Sequence, residues 1–300
     1  MFEQVLFPTD GREGATFAFR HVLDLTVRHD ATVHILNVAD TTQQGILQRR
    51  GHDTDTLEQE GERVVSAAAD KARQRGVGTV TEVRRGEPYR EIIDYADTHG
   101  IDLISMPTHG RRGLERFLLG STTERVLRRA DVPVLTMRPD EDVRRTYPYN
   151  NVLVPTDGSN CANQALAIGV DVADAERSEL HLLSAIATTT LGVDVRPDMQ
   201  MKVLEESADE LLDEAAAFAA NAGVETALKA VEYGPSIHKA ILTYIDTHDI
   251  DLVVVGTHGR TGFDRYLLGS VTDYLVRTSP VPVLTARAPE PNTGKRGQHN

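Results

Sequence analysis

Two strings in this chain have the residue types and spacing to hold an anion. Pro107 to Thr122 reads PTHGRRGLERFLLGST, and Gly256 to Val271 reads GTHGRTGFDRYLLGSV. Each follows a short apolar run and ends where a helix-like stretch begins. Glycine has no Cβ, so its N–H can come close to a bound oxyanion. A serine opening a helix sits among the unpaired N–H groups of the first turn, where the dipole favours phosphate. The second string places Gly256 and Gly259, then nine residues, then Gly269 and Ser270. It matches neither the Walker A loop nor the dinucleotide Gly-x-Gly-x-x-Gly fingerprint. Helix capping uses the same donors: Ser121 with Glu124 has the spacing of a capping box, and Ser270 with Asp273 that of a weaker one.

A second pair of candidates precedes these. Pro8-Thr9-Asp10-Gly11 returns as Pro155-Thr156-Asp157-Gly158, each after an apolar run. Asp and Gly are ordinary residues of a strand-to-helix turn. The same carboxylate could equally accept hydrogen bonds from a ligand's hydroxyl or amino groups, and the residues alone do not choose. His109 and His258 lie inside the glycine strings, but no nucleophile or carboxylate is placed beside them, so they read as loop histidines near a ligand rather than general bases. Arg111, Arg112 and Arg260 follow the turn and read as solvated side chains within reach of a phosphate. His99 and His248 close helices, where partial positive charge suits the dipole. The eleven histidines show no metal-ligand spacing.

A chain of 300 residues is long enough for two domains with separate cores. VLFPTDG (Val5 to Gly11) returns as VLVPTDG (Val152 to Gly158), 147 residues later. YADTHGIDLI (from Tyr95) returns as YIDTHDIDLV (from Tyr244), and ADVPVLTMR (from Ala130) as SPVPVLTAR (from Ser279), both 149 residues later. So long a period marks a duplicated domain, not a solenoid. The expected division is a first domain over 1–138, a linker over 139–150, a second domain over 151–288 and a disordered tail over 289–300.

Within each copy, short apolar runs alternate with stretches of helical period. QVLFP, ATVHILNV, TVTEVRR, DLISM and PVLTM predict strands. Helices are predicted over Gly14–His29 and Thr56–Gly76, from Pro88, and in STTERVLRRA. The order β-α-β-α-β-α-β-α-β, written twice, predicts the α/β class: in each domain a parallel sheet with helices on both faces and right-handed crossovers. Ligands in such open sheets bind beyond the carboxyl ends of the strands, where strand order reverses. Those are the loops that carry both pairs of motifs.

Composition sets the outer limits. The chain is 40% hydrophobic and 26% charged, as soluble globular proteins are. Its formal net charge of −13 argues against nonspecific binding to nucleic acid or anionic membrane. No apolar run approaches the ~20 residues that span a bilayer. QVLFP starts at Gln4, leaving no room for a signal peptide, so a cytoplasmic location is expected. Five Lys against 27 Arg in an acidic chain resembles the composition of salt-loving archaea, and equally that of a GC-rich genome. Cys161 stands alone, which excludes an intrachain disulfide and fits a small buried filler.

On these motifs both halves resemble universal stress protein domains, and the resemblance covers all but the linker and tail. It implies a five-stranded parallel sheet of order 3-2-1-4-5, with ATP or another adenine nucleotide, with or without Mg²⁺, as cofactor. In that family Gly-x-x-Gly, nine residues, Gly-Ser/Thr binds ribose and phosphates, and the Asp after the first strand and the backbone ending the second hold the adenosine side. Carried over, the resemblance implies Asp157 against the adenosine and the Ala185 backbone toward the base, with Gly158 and Ser159 completing the Asp-Gly-Ser of many members and Thr156 a further site candidate beside them. It implies Gly256, His258, Gly259, Arg260, Gly269, Ser270, Val271 and Thr272 around ribose and phosphates. The first half keeps Asp10, Val38, Gly110, Gly120 and Ser121 but has Pro107 for Gly256 and Arg12 for Ser159. Proline has no N–H and cannot take a glycine-only conformation, so weaker or absent nucleotide binding is expected there. The resemblance also implies antiparallel pairing of the last strands, Val132 to Thr136 with Val281 to Thr285, between domains; further pairing of chains is allowed but not required. The function so implied is nucleotide-dependent regulation in stress physiology, with hydrolysis slow at most. A slow ATPase or nucleotidyl-transfer enzyme, and a scaffold whose strings only cap helices, are the alternatives.

Overall fold

The computed structural model describes residues 1–42, 54–109, 119–188, 197–259 and 268–288. The first half runs β1 (Gln4–Pro8), α1 (Glu13–His29), β2 (Thr32–Asp40), α2 (Thr54–Gln74), β3 (Thr79–Gly86), α3 (Pro88–Thr98), β4 (Leu103–Pro107), α4 (Ser121–Arg129) and β5 (Val134–Met137). The second runs β6 (Asn151–Pro155), α5 (Asn160–Glu176), β7 (Glu179–Ala187), α6 (Pro197–Asn221), β8 (Ala227–Gly234), α7 (Ile237–Thr247), β9 (Leu252–Gly256), α8 (Ser270–Thr278) and β10 (Val283–Ala286). The expected alternation is observed twice. Pro88 sits in the first turn of α3, where its missing N–H costs no hydrogen bond. Asp30 and Arg177, equivalent in the two copies, end α1 and α5 in the left-handed conformation.

The ten strands of the described residues join one sheet of order β3-β2-β1-β4-β5-β10-β9-β6-β7-β8, so each half has the order 3-2-1-4-5. Strands within a half are parallel, while β5 and β10 pair antiparallel with Leu135 opposite Leu284. The Thr136 hydroxyl donates to the Val283 carbonyl and the Thr285 hydroxyl to the Val134 carbonyl, both at 3.2 Å. This pairing removes the exposed edge that each terminal strand would otherwise present.

The central strands are buried on both faces, hence their nearly continuous apolar runs. One face is covered by α1, α2, α5 and α6, and the other by α3, α4, α7 and α8, with each core layer continuous across the two halves. The repeated Ile-Asp-Leu segment has a structural use. Asp102 Oδ2 accepts the Glu3 N–H at 2.7 Å, and Asp251 Oδ2 accepts the Asn150 N–H at 2.8 Å, fixing the starts of β1 and β6.

Residues between the halves are built in. Tyr147 donates to Glu176 Oε1 at 2.6 Å, and His29 Nε2 lies 2.8 Å from the same oxygen. Tyr149 Oη pairs with His21 Nε2 at 2.7 Å. The tail over 289–300 lies outside the described residues, among which no helix is long and apolar enough to cross a membrane.

Candidate functional site

The crevice in each half opens where the first and fourth strands part. β6 and β9 pair only at Val152 with Leu252 and Leu153 with Val253, whereas β6 stays paired with β7 as far as Pro155. β1 and β4 part in the same way. The Thr-Asp-Gly turn stands at this split. Gly158 takes φ 74° and Gly11 φ 73°, the left-handed region that glycine enters freely. Thr156 Oγ1 accepts the Gly158 N–H at 3.2 Å, and Asp157 Oδ1 accepts the Ser159 N–H at 3.0 Å. Thr9 and Asp10 bond Gly11 and Arg12 in the same way. Asp157 Oδ1 thus closes the turn, and its Oδ2 lies 2.8 Å from where a Cβ on Gly259 would stand.

Gly256, Gly259 and Gly269 each stand where a Cβ would come close to a neighbour. A Cβ on Gly269 would lie 3.2 Å from the Thr257 carbonyl oxygen, and one on Gly256 would lie 2.6 Å from the Cys161 carbonyl carbon. Gly256 is a strand residue without positive φ, which corrects the expectation that a glycine-only conformation separates it from Pro107. Their amides do differ. Val253 and Thr257 donate to carbonyls of the β10 segment, so strand alternation turns the Gly256 N–H toward β6 and the crevice. Pro107 has none to turn.

The capping boxes do not form. Gly120 and Gly269 are the N-caps of α4 and α8, no side chain caps either helix, and Ser121 and Ser270 are the first helical residues. The reason is steric, because a serine Cβ at the cap would press on the preceding loop. Glu124 and Asp273 instead pair with Arg128 at 2.5 Å and Arg277 at 2.9 Å one turn on. Thr272 donates its hydroxyl to the Gly256 carbonyl at 2.6 Å and Thr123 to that of Pro107 at 3.0 Å. These bonds tie each helix start to its strand end and leave Thr272 only its N–H to offer.

In the second half a cavity of about 450 Å³ is lined by Thr156, Asp157, Ala185, Gly256, His258, Gly259, Gly269, Ser270, Val271 and Thr272. Gly158 and Ser159 are not among its lining residues. Ser159 caps α5, its Oγ accepting the Ala162 N–H at 3.3 Å. Arg260 lies outside the described residues. Among the wall residues that carry no motif are Ile237 and Ile241, one turn apart at the start of α7. Their signal is an apolar pair at helical spacing, with Ile237 left 40% exposed.

The first half keeps a cavity of about 390 Å³, lined by Asp10, Val38, Gly120 and Ser121 and also by Arg12 and Pro107. Gly110, Arg111 and Arg112 lie outside the described residues. Arg12 Nη1 lies 3.4 Å from Asp10 Oδ2, so this carboxylate already has a cation beside it. Arg12 also occupies the N-cap of α1 without capping it.

The histidines of the strings are held by their neighbours, His109 Nδ1 3.0 Å from Thr108 Oγ1 and His258 Nδ1 3.0 Å from Thr257 Oγ1. Burial pushes His109 below the ordinary imidazole range, with Asp140 opposing and Arg138 assisting. His99 and His248 stack on Tyr95 and Tyr244 with ring centroids 3.9 and 3.8 Å apart. Cys161 is half-buried, with Sγ 4.0 Å from Thr257 Oγ1. Among the described residues, no group of three or more His, Cys, Asp or Glu could hold a metal ion.

Known proteins share this design. The model of the universal stress protein family matches residues 1–138 and again 148–287. A universal stress protein of Mycobacterium tuberculosis is 27% identical over 235 residues, covering 77% of this chain and 78% of the relative. One from Methanocaldococcus jannaschii is 33% identical over 141 residues, 46% of this chain and 83% of its own length. The crystal structure of a universal stress protein from Archaeoglobus fulgidus superimposes with a TM-score of 0.71 at 26% identity, covering 95% of this chain and 98% of that one. With the family model matched along nearly the whole length and the same strand order in both halves, the chain belongs to the universal stress protein family and carries two of its domains in tandem.

Proposed function

We propose that this chain is a regulatory protein of stress physiology that holds an adenine nucleotide, ATP first, mainly in its second half. The observation that carries the reading is the cavity between β6 and β9. Gly256, Gly259 and Gly269 give it backbone where a Cβ would collide, and α8 begins in it with an uncapped first turn. The uncapped N–H groups and helix dipole suit phosphate oxygens. The Asp157 carboxylate suits hydroxyl donors of a ribose, and Ile237 and Ile241 offer an apolar wall to a base. Arg260, next along the loop, is a further candidate for phosphate. Nucleotide occupancy then biases the protein between partner-binding states.

Binding in the first half is proposed to be weaker. One feature supports this: Pro107 has no amide to turn into the crevice. Residues 1–138 and 151–288 are taken as the two domains, with 139–150 between them. The test is mass spectrometry of small molecules released by heat-denaturing the full chain, purified without stripping. The expected result is an adenine nucleotide at about one per chain. A preparation releasing none would overturn the reading.

A further inference from the structure

Arg138 and Arg287 hold the same place in the two copies, one residue beyond β5 and β10. Each follows the residue whose carbonyl anchors its own site loop. Met137 accepts the Thr108 N–H at 2.9 Å, and Ala286 accepts the Thr257 N–H at 2.8 Å. Each side chain then crosses to the other half. Arg138 Nε donates to the Ser279 carbonyl at 3.1 Å, at the C-cap of α8. Arg287 Nη1 donates to the Arg128 carbonyl at 3.1 Å, in the last turn of α4. Both side chains are shielded, at 7% and 15% exposure, and both have a carboxylate nearby: Asp140 2.9 Å from Arg138 and Asp131 3.9 Å from Arg287.

The last carbonyls of a helix lack intrahelical donors, and a cation there also complements the dipole. α4 and α8 have nine residues each, a rod of about 13 Å. Fixing the C-terminus of so short a rod fixes where its N-terminal N–H groups lie. We propose that Arg138 and Arg287 are reciprocal positioning residues, each setting from the opposite half the helix whose N-terminus faces a nucleotide cavity. The inference rests on the nucleotide reading of those cavities. Arg144 supports the same region of the second half. It adds a backbone N–H to the Pro280 carbonyl at 2.8 Å and a guanidinium bond to the Ile245 carbonyl at 3.1 Å, in the last turn of α7.

The test compares Arg138→Gln and Arg287→Gln in the full chain, by amide hydrogen exchange and by ATP titration. Arg138→Gln should speed exchange in α8 but not α4, and weaken the second-half site about three- to tenfold. Arg287→Gln should speed exchange in α4 and leave the second-half site within about twofold, although Arg287 is nearer to it in sequence. The inference is overturned if Arg287→Gln weakens that site as much as Arg138→Gln, or if Arg138→Gln leaves α8 exchange at wild-type rates. Should Arg138→Gln not fold, Arg138→Lys keeps the charge beside Asp140 and loses the Nε donor. It should speed α8 exchange to a lesser degree, and wild-type exchange would again overturn the inference. Wild-type protein that binds no ATP while the crossed exchange pattern holds refutes the nucleotide reading alone.

Discussion

Replacing Gly256 with alanine should destabilise the second half, and Cys161→Gly should recover part of the loss. A Cβ at position 256 would lie 2.6 Å from the Cys161 carbonyl carbon, 2.8 Å from its Cβ and 2.8 Å from its carbonyl oxygen. Carbon pairs pack best at about 3.5–4.0 Å. Three contacts roughly 1 Å too short force α5 away from β9, and overpacking of this kind costs about 1–3 kcal/mol. In the first half the Cβ stands on the strand, at Pro107, and the residue equivalent to Cys161 is Gly14. The two halves thus place their glycine on opposite sides of one contact. Cys161→Gly alone puts a glycine in a helical first turn and costs about 0.5–1 kcal/mol. Combined with Gly256→Ala it removes one of the three close partners, so the pair should couple favourably by about 0.5–1 kcal/mol. Urea unfolding of the four proteins without nucleotide measures the cycle. Additivity within about 0.3 kcal/mol, or Gly256→Ala as stable as wild type, would refute the reciprocal packing.

Two further outcomes follow from named contacts. Burial pulls His21 from 6.5 to about 4, with Asp24 opposing and Arg145 assisting. The folded chain therefore keeps His21 neutral while the unfolded chain protonates it. Stability present above pH 6.5 should fall as pH drops toward 4, by about 3 kcal/mol in all. His21→Gln should flatten that part of a stability-against-pH curve, and an unchanged slope would refute the assignment. Pro107→Gly should restore an amide facing the first-half crevice and raise nucleotide stoichiometry toward two per chain by calorimetric titration; unchanged stoichiometry and affinity would mean that this position does not limit binding.

The strands and helices were legible because short apolar runs alternate with stretches of helical period. The central strands are continuous apolar runs, and the helices carry apolar residues at three- and four-residue spacing. The sheet order and the joining of the last strands came from the family resemblance, since periodicity does not say which strands are neighbours. The capping boxes misled because a cap depends on how closely the incoming loop passes. Here that loop passes close, so that a Cβ on Gly120 or Gly269, one residue before the serines, would lie 3.2 Å from a carbonyl oxygen. The reason for Gly256 was hidden for a similar cause: its neighbour Cys161 is 95 residues away in sequence. Ile237 and Ile241 lacked a motif, and Arg138 and Arg287 read only as residues after a strand. Their partners lie in the other half of the chain.

The central claim is that the α8 N-terminus in the second half holds phosphate, and Ser270→Asp tests it most directly. Ser270 is exposed in the first turn of α8, so a carboxylate there should suit the helix dipole and leave stability unchanged or raised by about 0.3–1 kcal/mol. The same charge faces the cavity, where its repulsion of phosphate should weaken ATP binding about a hundredfold or more. Ser121→Asp places the identical change at α4 and should leave the tight site intact. The measurement is ATP titration of wild type and both variants, with thermal unfolding of each apoprotein. Loss of the tight site in Ser270→Asp alone, without loss of stability, is the predicted result. Wild-type affinity in Ser270→Asp would contradict the account.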